Sequence, residues 1–396
     1  MASFSVQFLG CKVSHTDAQA LRERLLRDGH EERAGAADVA VLNTCCVTHE
    51  AVRKTRSAAA RASRTHSRVY LTGCAANLGG GVLAGLPANV TVMPGSEEEA
   101  MGLVAGDVGA LGCVQVDVRL ERTRAFVKIQ DGCSFGCRFC VIPLVRGGTR
   151  SRRGEAVLAE IRRRVTQGHR EVVLTGINLG LFRDREAGWA LPRLIRAAGS
   201  IPGLARLRLS SIEVNHVDRA LVAALRETPA VARHLHVPLQ SGDDGVLRAM
   251  GRRYTVATYL RRLEPLADFN LTTDVIVGFP GEDEHAFRKT LAAVERAGIT
   301  KVHVFPYSPR PGTATAAADP VPPEVKKERS ARLRAASEAA CRARWREKLG
   351  RDDVVLVDRP GRGYGDDYSP WLVEAPVGEL VAVRGAAVTE EGILAA

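Results

Sequence analysis

The sequence predicts an α/β protein in three parts: an open α/β unit, a longer run of alternating strands and helices, and a small β unit. Three observations carry this. Short apolar strands alternate with helical spacing through the first part. Six further strands alternate with helical patterns through the second, which predicts a parallel sheet, open or closed into a barrel. The last residues then switch to short β patterns, which predicts a small appended β-barrel. The boundaries fall at 1–116, 117–345 and 346–396.

In the first part, residues 5–9 form a strand and 17–27 a helix with Ala18, Leu21, Leu25 and Leu26 on one face. Strands at 39–43 and 69–72 each end just before a cysteine, Cys45 and Cys74, and Cys11 follows the first strand through Gly10. Three cysteines at strand C-termini converge on one crevice, where open α/β sheets carry their ligands. In the second part the strands are 125–130, 171–175, 206–210, 234–239, 271–277 and 301–305. Helices at 155–167 and 283–297 lie among them. Loops at the strand C-termini then carry the chemistry, and each strand ends in a small or polar group, such as Gly176, Ser211, Gln240 and Gly278. Residues 324–348 form a basic helix with nine Lys or Arg against four Glu. Strands at 354–357, 371–373 and 380–383 make the final unit.

The 396 residues are 45% hydrophobic and 26% charged, ordinary for a soluble globular protein. The N-terminus has no basic start followed by an apolar stretch, so no signal peptide is expected. No apolar run approaches the roughly 18 residues that span a bilayer. A cytoplasmic protein with no membrane partner is expected. The net charge of +11 favours polyanionic partners, although an arginine-rich composition also follows from a GC-rich genome. Nine cysteines in a reducing compartment argue against a disulfide framework. Cys133, Cys137 and Cys140 cluster within eight residues, while Cys11, Cys45, Cys46, Cys74, Cys113 and Cys341 are scattered.

Cys133, Cys137 and Cys140 give the spacing C-x3-C-x2-C. Three thiolates hold three irons of a cubane cluster and leave a fourth open. A structural zinc site wants four protein ligands, and no fourth Cys or His is close in sequence; a zinc knuckle is the alternative. The motif follows the first strand of the long α/β run and resembles that of the radical-SAM superfamily. The resemblance implies a partial (β/α)6 barrel whose open iron chelates S-adenosylmethionine, cleaved by electron transfer to a 5′-deoxyadenosyl radical. It also implies cofactor contacts. Phe139 matches the aromatic position beside the adenine. The segment 236–242, with Gln240, resembles the fourth-strand segment near the ribose. The segment 274–282, with Gly278, resembles the fifth-strand motif along the adenine. Glu213 ends the third strand in the barrel mouth, and Gly176 follows the second.

The N-terminal motifs around Cys11, Cys45 and Cys74 resemble those of the methylthiotransferases, and the resemblance covers essentially the whole chain. It implies a second 4Fe–4S cluster on Cys11, Cys45 and Cys74, and a C-terminal TRAM domain. It also implies a reductant protein such as a flavodoxin or ferredoxin, with the sulfur donor left open. Cys46 stands where the family has Ala or Ser and is expected to be a bystander. Segments 175–180, 209–213 and 303–313 look most like the branch that places a methylthio group on C2 of N6-threonylcarbamoyladenosine beside the tRNA anticodon. Isopentenyladenosine in tRNA and an aspartate of ribosomal protein S12 are the sibling substrates. A non-catalytic iron–sulfur or zinc protein that binds RNA is the reading from another class.

Basic features fit tRNA. Residues 53–68 hold six Lys or Arg and no acid, enough to neutralise phosphates. Arg146, Arg150, Arg152 and Arg153 follow the cluster loop and are expected to grip phosphate. Residues 350–396 argue the other way, with nine Asp or Glu against four Lys or Arg. That acidity suits a basic protein partner or the chain's own basic helix.

Overall fold

The computed structural model describes residues 2–79, 81–96, 99, 102–104, 106 and 123–396. Cys113 and the expected boundary at 116 lie outside them. The first sheet contains β1 (Ser3–Phe8), β2 (Glu31–Glu32), β3 (Val39–Thr44), β4 (Arg68–Gly73) and β5 (Val90–Val92), all parallel in the order β2-β1-β3-β4-β5. All six residues of β3 are buried, as a central parallel strand covered on both faces requires. Alternate residues face opposite layers. Val39 and Val41 pack with Phe4, Leu21 and Leu25 on one face. Ala40 and Leu42 pack with Ala58, Ala59 and Ala62 on the other.

The first helix spans Lys12–Arg27, five residues earlier than its apolar spacing predicts. Val13 continues the buried face backward, and Cys11 sits at the N-cap in extended conformation. Asp17 therefore lies within the helix, buried, instead of starting it.

The second part contributes β6 (Arg124–Lys128), β7 (Gln130–Asp131), β8 (Arg150–Ser151), β9 (Glu171–Thr175), β10 (Arg183–Asp184), β11 (Trp189–Ala190), β12 (Arg206–Leu209), β13 (His234–His236), β14 (Asn270–Val277) and β15 (Ile299–Pro306). Two parallel sheets result, β12-β9-β6 and β13-β14-β15. Isolated parallel bridges, Leu207 to Val231 and Ser211 to His236, join them into one curved wall, β6-β9-β12-β13-β14-β15. The end strands β6 and β15 do not pair among the described residues, so the wall is a partial barrel. A large apolar cluster between strands and helices, including Val127, Val172, Leu207, Leu235 and Val275, forms its core. Three expected strands of this part end early, the third strand by one residue, at Leu209. The first stops at Lys128, because Gln130–Asp131 pairs antiparallel with Arg150–Ser151 instead. The fourth is regular only to His236, since Pro238 lacks an N–H and Gln240 turns to φ +69°.

Helix Pro323–Arg346 packs across β15 and leads into the closed barrel of β16 (Asp352–Arg359), β17 (Arg362–Tyr364), β18 (Pro370–Leu372), β19 (Leu380–Val388) and β20 (Ile393–Ala395), in the order β16-β17-β18-β20-β19. Trp371, fully buried, fills it beside Val355, Val383 and Ile393.

The acids of this barrel meet the chain's own cations. Lys348 reaches Asp353 and Asp367 at 3.0 and 3.1 Å, and Arg344 reaches Asp367 at 3.2 Å. Arg124 pairs with Asp358 at 3.3 Å and Arg206 with Asp366 at 3.5 Å. Of the two sequence-based explanations for the acidity, contact with the chain's own basic residues is the one seen. The junction is organised by Glu171 at the start of β9. Its buried carboxylate binds Arg206 at 3.2 Å and Arg208 at 3.0 Å. Both guanidiniums also donate to the Gly365 carbonyl.

Removing one partner of a buried ion pair leaves the other charge uncompensated, typically at about 3–5 kcal/mol. Glu171→Ala is therefore expected to lower stability by several kcal/mol in urea denaturation. A loss below about 1 kcal/mol would mean that the C-terminal carbonyls alone satisfy the two arginines.

Candidate active site

The loop between β7 and helix Ile142–Arg146 brings Cys133, Cys137 and Cys140 together. Gly132 and Gly251 make this possible. Gly132 has φ +68°, and a Cβ there would lie 2.1 Å from the Gly148 carbonyl oxygen. A Cβ on Gly251, φ +75°, would lie 2.9 Å from the Gly136 carbonyl oxygen. The thiols are half-buried and close enough to act on one another. Burial pushes the Cys140 thiol up to about 12, and Cys137 and Cys133 push the same way. Burial also raises the Cys133 thiol.

Donors aim at these sulfurs. The Phe135 backbone N–H lies 3.5 Å from Cys133 Sγ, and Arg252 Nη1 lies 3.3 Å from Cys137 Sγ. Such donors suit thiolates bound to a cationic cluster. Three clustered thiols, none in a disulfide, with N–H groups directed at sulfur, fit a 4Fe–4S cluster. Among the described residues no imidazole or fourth thiol completes a zinc tetrahedron with them.

Gln130 and Arg252 were not singled out in the sequence. Buried Gln130 donates to the carbonyls of Asp131 and Gly132 at 2.8 and 2.6 Å and accepts from Asn178 N–H at 2.9 Å. It thus ties the cluster loop to the loop after β9. Arg252 donates to Glu213 at 3.3 Å as well as to Cys137. Only the spatial neighbourhood marks them; neither stands in a recognisable motif.

The five expected cofactor contacts separate. Phe139 and Gln240 line one pocket of about 170 Å³, together with Cys140, Asp274, Ile276 and Tyr307. Phe139 also packs edge-on against Phe279, with centroids 6.2 Å apart. Gly176 lines a larger cavity of about 1110 Å³ inside the partial barrel. The two share Val47, Ile142 and Asp274 as walls. Glu213 lines neither, but reaches the cluster loop through Arg252. Gly278 also lines neither: φ is +73°, and a Cβ there would lie 2.4 Å from Lys326 Cγ.

Cys11, Cys45 and Cys74 do gather at the strand ends. Gly10 precedes Cys11, and a Cβ there would lie 2.9 Å from Cys45 Cβ. Gly73, φ +84°, precedes Cys74 and lies against the Thr44 backbone. Burial pushes the Cys45 thiol up to about 11, with Cys74 and Cys11 acting in the same direction. Cys11 opens onto the large cavity.

Cys46, expected to be a bystander to the cluster, is buried beside Cys74. Its thiol lies against that of Cys74, and this contact, with help from Arg146, lowers the Cys74 thiol against burial. The same contact, with burial, holds Cys46 well above the usual thiol range.

The arginines after the cluster loop divide. Arg146 and Arg152 do not present themselves to phosphate. Arg146 is buried and holds Asp17 at 2.8 Å, Asp131 at 3.1 Å and Cys74 Sγ at 3.1 Å. Arg152 is held by Glu160 and the Lys128 carbonyl. Arg150 bonds the carbonyls of Arg146 and Gly148, and exposed Arg153 pairs with Glu186. On helix His49–Ala62 and just beyond it, Arg53, Lys54, Arg61 and Arg64 are exposed.

One further cluster lines the large cavity. His236 Nε2 and His303 Nδ1 both sit 3.2 Å from Asp274 Oδ1. Burial raises the Asp274 carboxyl, but these two bonds outweigh it and keep it well below the usual range.

A model of the radical SAM superfamily matches residues 127–294, and one of uncharacterized protein family UPF0004 matches 3–95. The chain is 32% identical to a threonylcarbamoyladenosine tRNA methylthiotransferase of Thermotoga maritima, covering 100% of this chain and 96% of that protein. It is 35% identical to the enzyme so named in Bacillus subtilis, over 85% and 81%. It is 36% identical to a tRNA-2-methylthio-N(6)-dimethylallyladenosine synthase of Sorangium cellulosum, over 92% and 84%. Among solved structures, the radical S-adenosylmethionine methyltransferase TsrM of Kitasatospora setae, with tryptophan and a SAM analogue bound, superposes with a TM-score of 0.56 at 14% identity, over 79% and 75%. That likeness shows the fold.

Arg146→Met should leave Asp17 and Asp131 uncompensated and Cys74 without its guanidinium. The expected outcome is a loss of about 3 kcal/mol or more in thermal or urea unfolding, with Arg146→Lys recovering part of it. Unfolding unchanged in the Met variant would show that Lys128, which also contacts Asp17 and Asp131, carries the web alone.

Proposed function

This chain belongs to the radical-SAM methylthiotransferase family, and on that premise we propose that it inserts a methylthio group at C2 of N6-threonylcarbamoyladenosine in tRNA. The observation that carries the reading is full-length similarity to enzymes named for that reaction, 32% identity over 100% of this chain in the Thermotoga case. The site geometry supports it. Cys11 opens onto the barrel cavity, and Cys140 opens onto the pocket that shares its walls. One cysteine of each set thus lines one of two adjoining pockets, which suits a reaction joining sulfur to carbon.

In this reading Cys133, Cys137 and Cys140 hold a 4Fe–4S cluster that binds S-adenosylmethionine, and Cys11, Cys45 and Cys74 hold a second. Together these groups supply one-electron chemistry at an unactivated C–H bond and a sulfur to place there. The protein's own residues bind and orient. Arg252 and the Phe135 N–H steady Cys137 and Cys133. Gln130 fixes the cluster loop against the loop bearing Gly176. Phe139 and Gln240 wall the pocket beside Cys140. The three functional units are 1–116, 117–345 and 346–396. A flavodoxin or ferredoxin supplies electrons. Among the described residues no helix is long and apolar enough to cross a membrane. The exposed cations of helix His49–Ala62 meet tRNA phosphates, and the C-terminal barrel, with Asp353, Asp358, Asp366 and Asp367 paired to the chain's own cations, plays the lesser part in that contact.

Three measurements follow. Anaerobic reconstitution should give about eight irons per chain, the sum of two cubanes, and a Cys133→Ala, Cys137→Ala, Cys140→Ala variant about half. Zinc alone, or iron unchanged in that variant, refutes the assignment. Purified enzyme should methylthiolate tRNA bearing threonylcarbamoyladenosine in preference to tRNA bearing isopentenyladenosine or ribosomal protein S12. Product from S12 with neither tRNA modified overturns the substrate. Binding of tRNA should weaken steeply with salt, and less steeply once Arg53, Lys54 and Arg61 are replaced by Gln; an unchanged slope would move the RNA face elsewhere.

A further inference from the structure

Lys12 brings into the barrel cavity a charge that no described residue neutralises. It is the first residue of helix Lys12–Arg27, directly after Cys11, and its side chain is solvent-accessible on the cavity wall. Among the described residues it makes no hydrogen bond and no ion pair. Burial lowers the Lys12 amine, and the ionisable groups that act on it are Tyr368, Arg124, Arg208 and Glu171, each of them already engaged. Arg124 binds Asp358 and Tyr368, and Arg208 binds Glu171.

The other charged groups on the wall are mostly spent in the same way. Arg344 pairs with Asp367, and Arg362 with Glu391. Asp274 is held by His236 and His303. Lys301, on β15, is the second free amine, and Glu390, near the end of the chain, is the free carboxylate. Next to Cys11, Lys12 is thus the amine that no described residue holds in an ion pair. An ammonium in a confined cavity attracts an anion more strongly than one at an open surface.

The proposed substrate carries such an anion. The threonyl part of N6-threonylcarbamoyladenosine ends in a carboxylate, whereas the dimethylallyl group of the sibling substrate is an apolar hydrocarbon. Resting on the substrate reading above, we infer that Lys12 is the specificity-determining residue of this site, its ammonium receiving the threonyl carboxylate. A hydrogen-bonded charge pair replaces the water lost by both ions, while a dimethylallyl group in the same place would leave the ammonium desolvated and unpaired. Lys12 therefore favours one substrate and penalises the other.

The test measures binding as well as turnover. Reconstituted wild-type, Lys12→Met, Lys12→Arg and Lys301→Met proteins are titrated with labelled anticodon stem-loops carrying threonylcarbamoyladenosine, isopentenyladenosine or unmodified adenosine. Iron per chain is measured on each. Lys12→Met should weaken the threonylcarbamoyladenosine stem-loop by about tenfold or more, the scale of one charged hydrogen bond. It should leave the unmodified stem-loop within about twofold, narrow the gap to isopentenyladenosine, and keep its iron. Lys12→Arg should recover part of the preference, and Lys301→Met should keep most of it. A wild-type protein without preference for threonylcarbamoyladenosine overturns the substrate reading and this assignment with it. A wild-type preference that Lys12→Met retains, or that Lys301→Met alone abolishes, overturns the assignment and leaves the substrate reading standing. Equal weakening of all three stem-loops, or loss of iron, shows that Lys12 supports the Cys11 loop and does not read the base.

Discussion

The guanidinium of Arg146 is the tie on which the site depends. It sits at the end of the short helix that follows the third cluster cysteine, and bonds Asp17 of the first helix, Asp131 before the cluster loop and the sulfur of Cys74. One planar cation thereby fixes a helix of the N-terminal sheet, the entry to the cluster loop and one N-terminal cysteine. An ammonium could not hold three partners in such a plane. Lys128 reinforces the web, reaching both Asp17 and Asp131. The two carboxylates face two cations, and the Cys74 sulfur takes a further bond from Arg146. That balance lets so many ionised groups lie out of water.

A second ionic junction closes the other end of the cavity. Glu171, Arg206 and Arg208 stand at the start of barrel strands, where a parallel sheet usually shows structural and not chemical residues. Their bonds to the carbonyls around Gly365 bring the C-terminal barrel against that end. Tyr364 and Tyr368 stack there, with Arg124 over both rings. The acidity of the last segment, puzzling on its own, answers this concentration of arginine. The overall excess of positive charge is left to other faces, among them helix His49–Ala62.

Much of this was legible in the sequence because it is periodic or local. β9 spans the residues expected from its sequence, Glu171–Thr175, and the cysteines sit at the strand ends their flanking residues announce. What escaped depends on distance in the chain. Cys46 looked idle because its partner Cys74 is 28 residues on, across a strand and a helix. Arg146 and Arg152 looked like phosphate contacts because sequence counts charge but cannot see the carboxylates that claim it. Gln130 looked like the last residue of a strand, and only the folded loop shows its amide bridging two segments. Gly278 carries the expected motif glycine, yet faces Lys326, since a motif states which residue is small but not what approaches it.

The glycines make the same point in structural terms. A centre that acts on a bound carbon must sit at a fixed distance from it, so its supporting loops cannot breathe. At Gly10, Gly73, Gly132 and Gly251, backbone packs so closely that a Cβ would meet its neighbour within 3 Å. Gly10 and Gly73 hold the N-terminal cysteines against one another; Gly132 and Gly251 clamp the cluster loop between its own return strand and the turn bearing Arg252. Each set is thus rigid in itself, and Arg146 links the two. The space between them is lined largely by side chains, with backbone at Gly10 and Gly176. Its shape and charge can change without moving either set, and a single free side chain such as Lys12 can then choose the substrate while the chemistry stays the same.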